Sequence, residues 1–141
     1  MTIRAILRSK GDTIQSISGD ALVSDAVALL AEKRIGALPV MDDGKVRGIF
    51  SERDVVYGLA QKGAAILSER VADVMTSPAM TVEPESSVIG ALSLMTRRRV
   101  RHLPVTDSGA VIGFVSIGDL VKYRIDKIES EAAAMREYIA S

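Results

Sequence analysis

The two halves of this chain repeat one another. Shifted by 65 positions, residues 14–59 align with residues 79–124 without a gap. The identities cluster in the same order in both halves: Leu-Pro-Val, then Asp-x-Gly, then Gly-x-x-Ser-x-x-Asp. A fixed period of this length indicates one supersecondary unit present in two copies. A unit of this size has a marginal core on its own, so we expect the copies to bury each other's apolar faces.

Each copy carries the signals of a βαββα unit. Apolar residues at helical spacing predict an amphipathic helix, and apolar, β-branched runs around an Asp- and Gly-containing turn predict a hairpin. The strands and final helices are predicted at Ile14–Ile17, Ala37–Asp42, Val46–Phe50 and Ser51–Leu59, and again at Met80–Val82, His102–Asp107, Val111–Val115 and from Ser116 onward. We expect an α/β (α+β) fold of two βαββα repeats packed sheet to sheet with pseudo-twofold symmetry. The expected organisation is repeat 1 at 10–60, a connector at 61–78, repeat 2 at 79–124 and a C-terminal amphipathic helix at 125–141.

Composition excludes several classes of protein. The 18 Lys and Arg residues balance 18 Asp and Glu residues, and aromatic residues make up only 4%, which argues against a nucleic-acid-binding surface. The lack of cysteine and the single histidine exclude disulfides, thiolate sites and any site with two imidazoles. No apolar run reaches the length of a membrane span, and the first residues do not resemble a signal peptide. We therefore expect a cytoplasmic protein with no membrane or nucleic-acid partner.

The repeated motifs resemble those of the CBS domain, named after cystathionine β-synthase. The resemblance rests on the small residue before Leu-Pro-Val in the first copy, on Asp-x-Gly, and on Gly with two hydrophobic residues before Ser-x-x-Asp. It spans about residues 10–124 and occurs twice at one period, an arrangement called a Bateman module. It implies a regulatory protein without catalytic activity that binds AMP, ADP, ATP, NAD or S-adenosylmethionine in two clefts between the repeats. It also implies a homodimer, whose change on ligand binding, or the binding of an unidentified protein target, is the output.

Ser51-x-x-Asp54 and Ser116-x-x-Asp119 support two interpretations. Ser at a helix N-cap with an acid three residues later is a capping box, worth about 1 kcal/mol to the helix. A carboxylate in the first turn can also accept hydrogen bonds from both hydroxyls of a ribose, beside N–H groups and a dipole that favour phosphate. The two roles are compatible, and the matched pair favours ribose binding.

The resemblance pairs the residues before Leu-Pro of one repeat with the Ser-x-x-Asp of the other. Gly36 and Ala37 are small enough to let an adenine ring approach the backbone, although tight packing at a helix-to-strand turn explains them equally well. Arg101 and His102 replace them in repeat 2, which makes the second cleft the better candidate for phosphate. Cleft A is expected to combine Gln15, Gly36, Ala37, Ser116 and Asp119, and cleft B to combine Met80, Arg101, His102, Ser51, Arg53 and Asp54.

The basic run Arg97-Arg98-Arg99-Val100-Arg101 leaves nucleic-acid binding open as an alternative. The same cations suit a solvated helix C-terminus or a phosphate ligand, and the composition favours these two interpretations. Ser, His and Asp all occur, but no Gly-x-Ser-x-Gly is present to expose a nucleophile. We therefore expect no enzymatic activity, catalytic cofactor or metal. The other alternative is a scaffold protein whose clefts stay empty.

The segment after repeat 2 predicts an amphipathic helix. Ile125, Ile128, Ala132, Met135 and Ile139 are spaced alternately by three and four residues, as in a heptad a/d stripe. The stripe covers about two heptads, too few for an independent coiled coil. It can pack against its own body or form the interface of a homodimer, and the resemblance favours the homodimer.

Overall fold

The computed structural model describes residues 1–11 and 13–140. Within these residues the fold is built from six α-helices, one 3₁₀ helix and two antiparallel hairpins. The α-helices are α1 (Ile3–Lys10), α2 (Val23–Lys33), α3 (Glu52–Lys62), α4 (Val71–Val74), α5 (Val88–Arg98) and α6 (Ile117–Ala140). The 3₁₀ helix covers Gly63–Ser68, and the strands are β1 (Ala37–Asp42), β2 (Lys45–Ser51), β3 (His102–Asp107) and β4 (Ala110–Ser116).

The two hairpins have the same register and the same turn. At the open end the residue before Leu-Pro pairs with the Ser of Ser-x-x-Asp, Ala37 with Ser51 and His102 with Ser116. A bulge follows directly after Leu-Pro-Val in both copies. At the closed end both central turn residues have positive φ, at Asp43-Gly44 and at Ser108-Gly109, the geometry of a tight type I′ hairpin. The second strands β2 and β4 lie in contact, so the predicted α+β arrangement of two matched, packed units is confirmed.

The first strand of each predicted unit is wrong in extent. Ile14–Ile17 and Met80–Val82 contribute only single-residue parallel bridges, from Ile17 to Val40 and from Val82 to Val105. In repeat 1 the chain turns away at once, because the Ser18 hydroxyl accepts a hydrogen bond from Asp20 N and donates to Asp42 Oδ1. In repeat 2 Pro84 follows two residues later and cannot donate to a ladder.

Each repeat has a core of its own. In repeat 1 the buried side chains come from α2, both strands and the segment that was predicted as a connector: Val23, Ala26, Leu30, Leu38, Val40, Phe50, Ile66 and Val71. In repeat 2 they come from α5, both strands, α6, the N-terminal helix and the bridge residue Val82: Ile3, Ile6, Val82, Val88, Ala91, Met95, Leu103, Val105, Val115 and Leu120. The segment 61–78 therefore supplies core residues to repeat 1, in addition to joining the repeats.

Residues 1–7 pack on repeat 2 in the way that residues 69–75 pack on repeat 1. Val23 N donates to Glu69 O at 2.9 Å, and the matched Val88 N donates to Met1 O at 3.3 Å. The same equivalence holds where the glycine of β2 or β4 leaves room for a neighbour. A Cβ on Gly48 would lie 2.9 Å from the Met75 sulfur, and one on Gly113 would lie 2.5 Å from Leu7 Cδ2. Each repeat thus receives a docking segment from the chain that precedes the other repeat.

The C-terminal helix is longer than predicted. The segment expected as a separate helix at 125–141 is the continuation of α6, which begins at Ile117 and runs to Ala140. Leu120 is the buried residue of this helix, and every described residue from Ile125 onward is exposed. The stripe therefore does not pack against its own body, and Ser141 lies outside the described residues.

Candidate functional site

Two cavities lie between the repeats, and each draws residues from both. Cleft A has a volume of about 400 Å³, and cleft B has a volume of about 470 Å³. Cleft A is lined by Lys10, Thr13, Ile14, Gln15, Arg34, Ile35, Gly36, Ala37, His102, Phe114, Ser116 and Asp119. Cleft B is lined by Gly36, Ile49, Ser51, Glu52, Arg53, Thr76, Pro78, Ala79, Met80, Arg99, Val100, Arg101, His102, Ser116 and Ile117. Every residue expected in cleft A lines it, and every residue expected in cleft B except Asp54 lines that cleft.

Asp119 is held at the first turn of α6 by a reciprocal capping box. Ser116 N donates to Asp119 Oδ2 at 2.8 Å, and Asp119 N donates to Ser116 Oγ at 3.1 Å. These bonds fix the carboxylate at the wall of cleft A, which Gly36 and Ala37 of repeat 1 also line. The capping and binding interpretations of this motif are therefore compatible in three dimensions.

Lys10 was not anticipated as a site residue. It is the last residue of α1, and its Nζ lies 2.7 Å from Asp119 Oδ2 and 2.6 Å from Phe114 O. Burial alone would raise the pKa of Asp119. The hydrogen bonds from Lys10 and Ser116, with the charge of Lys10, outweigh burial and hold that pKa below its ordinary value. Lys10 reaches cleft A because α1 docks on repeat 2, and the comparison of the two halves carries no signal for that docking.

The matched carboxylate Asp54 does not line cleft B itself. Its Oδ2 accepts hydrogen bonds from Ser51 N at 2.9 Å and Ser51 Oγ at 3.2 Å. Its Oδ1 accepts one from Thr76 Oγ1 at 2.9 Å, and Thr76 lines the cleft. Both oxygens of Asp54 therefore accept hydrogen bonds within the chain, whereas the hydrogen bonds that described residues donate to the Asp119 carboxylate, from Lys10 Nζ and Ser116 N, end on Oδ2.

Arginines line both clefts at the end of a helix. The C-cap residues that follow α2 and α5 are Arg34 and Arg99, which adopt left-handed φ values of 53° and 55°. Arg34 lines cleft A and Arg99 lines cleft B. The two arginines are identical at matched positions of the repeat, and that identity is the sequence signal by which they could have been found. Arg53 Nη1 donates to Arg99 O at 2.8 Å, which ties α3 of repeat 1 to repeat 2.

The charge of the two clefts differs less than expected. Cleft B is lined by Arg53, Arg99 and Arg101 together with one acid, Glu52. Cleft A is lined by Lys10 and Arg34 together with Asp119. Cleft B retains the larger number of cations, but cleft A also has two that an anionic ligand can reach.

His102 lies between the clefts and lines both. Its ring stacks on Phe114, with centroids 5.6 Å apart and an interplanar angle of 14°. Burial is the main cause that lowers the pKa of His102 below its ordinary value; the charge of Asp119 acts in the opposite direction, and the charges of Lys10 and Arg101 add to the lowering. The lowered pKa favours the neutral imidazole at pH 7, and the ring contributes stacking there.

Residues 1–11 and 13–140 contain no group of three or more His, Asp or Glu residues arranged to hold a metal ion. Over the same residues, no helix has the length and apolar character needed to cross a membrane.

Comparisons with known proteins agree with this geometry. A curated relative, the mitochondrial CBS domain-containing protein CBSX3 of Arabidopsis thaliana, is 35% identical over 147 residues, covering 98% of this chain and 71% of the relative. A solved protein with CBS domains from Burkholderia ambifaria matches with a TM-score of 0.84 at 41% identity, covering 89% of this chain and 95% of that one. The structure of CBSX2 in complex with AMP matches with a TM-score of 0.70 at 28% identity, covering 81% and 89%.

The family assignment follows from the extent of the match. The CBS-domain family model matches residues 11–61 and 71–126. These two ranges contain both hairpins, both Ser-x-x-Asp motifs and most of the residues that line the clefts. The chain therefore belongs to the CBS-domain family, with two CBS domains in tandem.

Proposed function

We propose that this protein is a regulatory module that binds an adenosyl ligand between its two CBS domains and has no catalytic activity of its own. The observation that carries the proposal is cleft A. There a carboxylate fixed in the first turn of α6 lines the same cavity of about 400 Å³ as Gly36 and Ala37 of the other repeat. The complex of the similar protein CBSX2 with AMP supports the same class of ligand.

In cleft A the chain offers groups for each part of a nucleotide. Among the described residues, Lys10 Nζ and Ser116 N both donate to Asp119 Oδ2, which leaves Oδ1 to accept a hydrogen bond from a ribose hydroxyl. Gly36 and Ala37 line the cavity with no long side chain, so an adenine ring can approach this wall. The N-terminus of α6, Lys10 and Arg34 supply positive charge for phosphate. AMP fits these groups best, and ADP, ATP and NAD share the same adenosyl portion.

Cleft B would bind its ligand differently. Ribose can reach Asp54 there only if Thr76 gives up its hydrogen bond to Oδ1. Arg53, Arg99 and Arg101 face the same cavity, so the cleft favours phosphorylated ligands through charge-assisted hydrogen bonds. S-adenosylmethionine, whose sulfonium is positive, is a poorer partner for this wall than AMP.

The output of binding would be a change in how two copies of the chain associate, or in how a protein target is bound. The arginines of the run at 97–101 divide between the cleft wall and the exposed end of α5. This division supports a role in phosphate binding over one in nucleic-acid binding. The CBSX3 relative is named as mitochondrial, so a cytoplasmic location stays a prediction for this chain.

Thermal unfolding of the full chain tests the proposal against the scaffold alternative. A ligand that binds only the folded state raises stability by RT ln(1 + [L]/Kd), so AMP should raise Tm progressively with concentration. Adenosine should do so less and guanosine monophosphate least. If AMP, ADP, ATP, NAD and S-adenosylmethionine all leave Tm unchanged at millimolar concentration, the clefts are empty and the scaffold interpretation holds.

A further inference from the structure

The outer half of α6 carries an apolar stripe that no described residue of the chain covers. Ile125 and Ile128 are each 49% exposed, Met135 is 59% exposed and Ile139 is 75% exposed. Val121, also exposed, extends the stripe by one position toward the body. Together with Ala132 these residues form six consecutive a and d positions along one side of the helix.

The stripe lies on a different side of α6 from the side that packs on repeat 2. Leu120 is buried in the repeat 2 core and Tyr123 packs against it, whereas Val121 and Ile125 are exposed. The body thus anchors the first turns of α6 and leaves the stripe accessible to a second helix. Because the first turns of α6 are already formed on the body, the unfavourable nucleation of the helix does not have to accompany pairing. A shorter stripe therefore suffices for pairing than in an isolated peptide.

The charges that flank the stripe indicate which helix it fits. With Ile125 at position a, Arg124 and Glu131 occupy g positions, and Glu129 and Arg136 occupy e positions. In a parallel, in-register pair each g residue meets the e residue five positions later on the other helix. Arg124 then faces Glu129 of the second copy, and Glu131 faces Arg136 of the second copy. Both contacts are attractive, and the twofold axis doubles them.

The antiparallel arrangement that covers the whole stripe is disfavoured by the same residues. It sets Ile128 beside Ala132 of the second copy, and reversal of one helix brings e opposite e and g opposite g. Glu129 would then face Glu129 of the second copy, and Glu131 would face Glu131 of the second copy. Like charges in these positions are destabilising.

We propose that the exposed part of α6 pairs in parallel and in register with the same helix of a second copy of this chain. The evidence for this pairing is the apolar stripe and its flanking charges. The pairing does not depend on whether the clefts bind a ligand. It also has a structural consequence for the clefts. Because α6 begins at the Ser116–Asp119 capping box, one continuous helix joins cleft A to the contact between the two copies.

Charge reversal tests the pairing by sedimentation velocity over a range of concentrations. Glu131→Arg alone sets two arginines opposite each other, and Arg136→Glu alone sets two glutamates opposite each other. Each should raise the dimer dissociation constant by about tenfold or more, and the double variant Glu131→Arg/Arg136→Glu should restore the native value. Glu137→Arg makes the same charge change at an f position of the same helix and should leave dissociation unchanged.

Single cysteines test the orientation, because the chain has no cysteine of its own. In the parallel pair Ile125→Cys and Ile139→Cys should each form a disulfide with its counterpart under mild oxidation. An antiparallel pair would allow this at no more than one of the two positions. A monomeric full-length chain at high concentration, a dimer indifferent to the single charge reversals, or failure of either cysteine to cross-link would overturn the proposal. AMP binding, measured in parallel on the same variants, reports on the clefts separately.

Discussion

At the scale of single residues, the two matched carboxylates differ in the partners that they meet. Asp119 is paired with Lys10, and Asp54 is hydrogen-bonded by Thr76. The identical Ser-x-x-Asp motifs predicted both carboxylates correctly at the first turn of a helix. Their partners come from segments that precede each repeat and share no motif, so the alignment of the halves could not have identified them.

Replacement of Lys10 should change the titration of Asp119. In Lys10→Met the hydrogen bond and charge that lower the Asp119 pKa are lost, and burial, which raises it, remains. The pKa should therefore rise, as followed by NMR of the side-chain carboxyl. Lys122→Met, an exposed substitution on α6, is the control. An Asp119 pKa that is the same in the native chain and in Lys10→Met would show that Lys10 does not contact it in solution.

Cleft B should distinguish ligands by their phosphate. Arg101 lines the cleft whereas Arg97, in the same basic run, is exposed and lies outside it. Loss of one charge-assisted hydrogen bond costs about 1.5–3 kcal/mol. Arg101→Ala should therefore weaken AMP binding at cleft B by about tenfold or more and leave adenosine binding unchanged, and Arg97→Ala should affect neither. Equal losses for AMP and adenosine would indicate damaged packing and remove the phosphate role.

The single histidine should make stability depend on pH near neutrality. Burial lowers the pKa of His102 in the folded chain, so the unfolded chain takes up a proton first as pH falls through about 6.5. Protonation of the unfolded chain lowers the free energy of unfolding. The decrease reaches its full size once the pH is below the pKa of His102 in the folded chain. Denaturant unfolding between pH 7.5 and pH 5 should show this loss in the native chain and not in His102→Phe. A loss of equal size in both would assign it to other groups.

At the scale of elements, local sequence signals predicted the helices and hairpins correctly. The elements that differ from the prediction are determined by tertiary contacts. Helical spacing and the turn residues Asp43-Gly44 and Ser108-Gly109 were sufficient to predict α2, α5 and both hairpins. The first strands were shortened to bridges by a side-chain turn at Ser18 and by Pro84. The opening segment Thr2–Arg8 is expected to form a short helix against the body, but its docking on repeat 2 in particular was not predicted, because residues 1–7 share apolar character but no identity with residues 69–75.

The docking of α1 makes a prediction about local stability. Ile3 is fully buried in the repeat 2 core, and removal of a side chain of this kind costs about 2–5 kcal/mol. Ile3→Ala should therefore destabilise the chain by that amount and raise amide hydrogen exchange first in β3, β4 and α5. Val56→Ala, on an exposed position of α3, should change stability by less than about 0.5 kcal/mol. Faster exchange confined to repeat 1 would contradict the crossed docking.

At the scale of the whole molecule, two cores and two clefts follow from one unit used twice. The repeat and its motifs were enough to predict the pairing of residues across the clefts, because symmetry places one repeat's Leu-Pro-Val strand against the other's Ser-x-x-Asp helix. The balance of charge between the clefts was predicted less well. Lys10 precedes the aligned segment, and Arg34 lies within it but outside the repeated motifs. The unit is therefore symmetric in backbone and asymmetric in its chemistry.

The most direct test is a calorimetric titration of AMP into the full chain and into three aspartate variants. Asp119→Asn removes the carboxylate from cleft A, and Asp126→Asn makes the same change on the exposed face of the same helix. We predict that Asp119→Asn weakens the cleft A site by about tenfold or more, the loss expected for a hydrogen bond to a charged group. Asp126→Asn should bind as the native chain does. Unchanged AMP affinity in the double variant Asp54→Asn/Asp119→Asn would contradict the assignment of both clefts as ribose-binding sites.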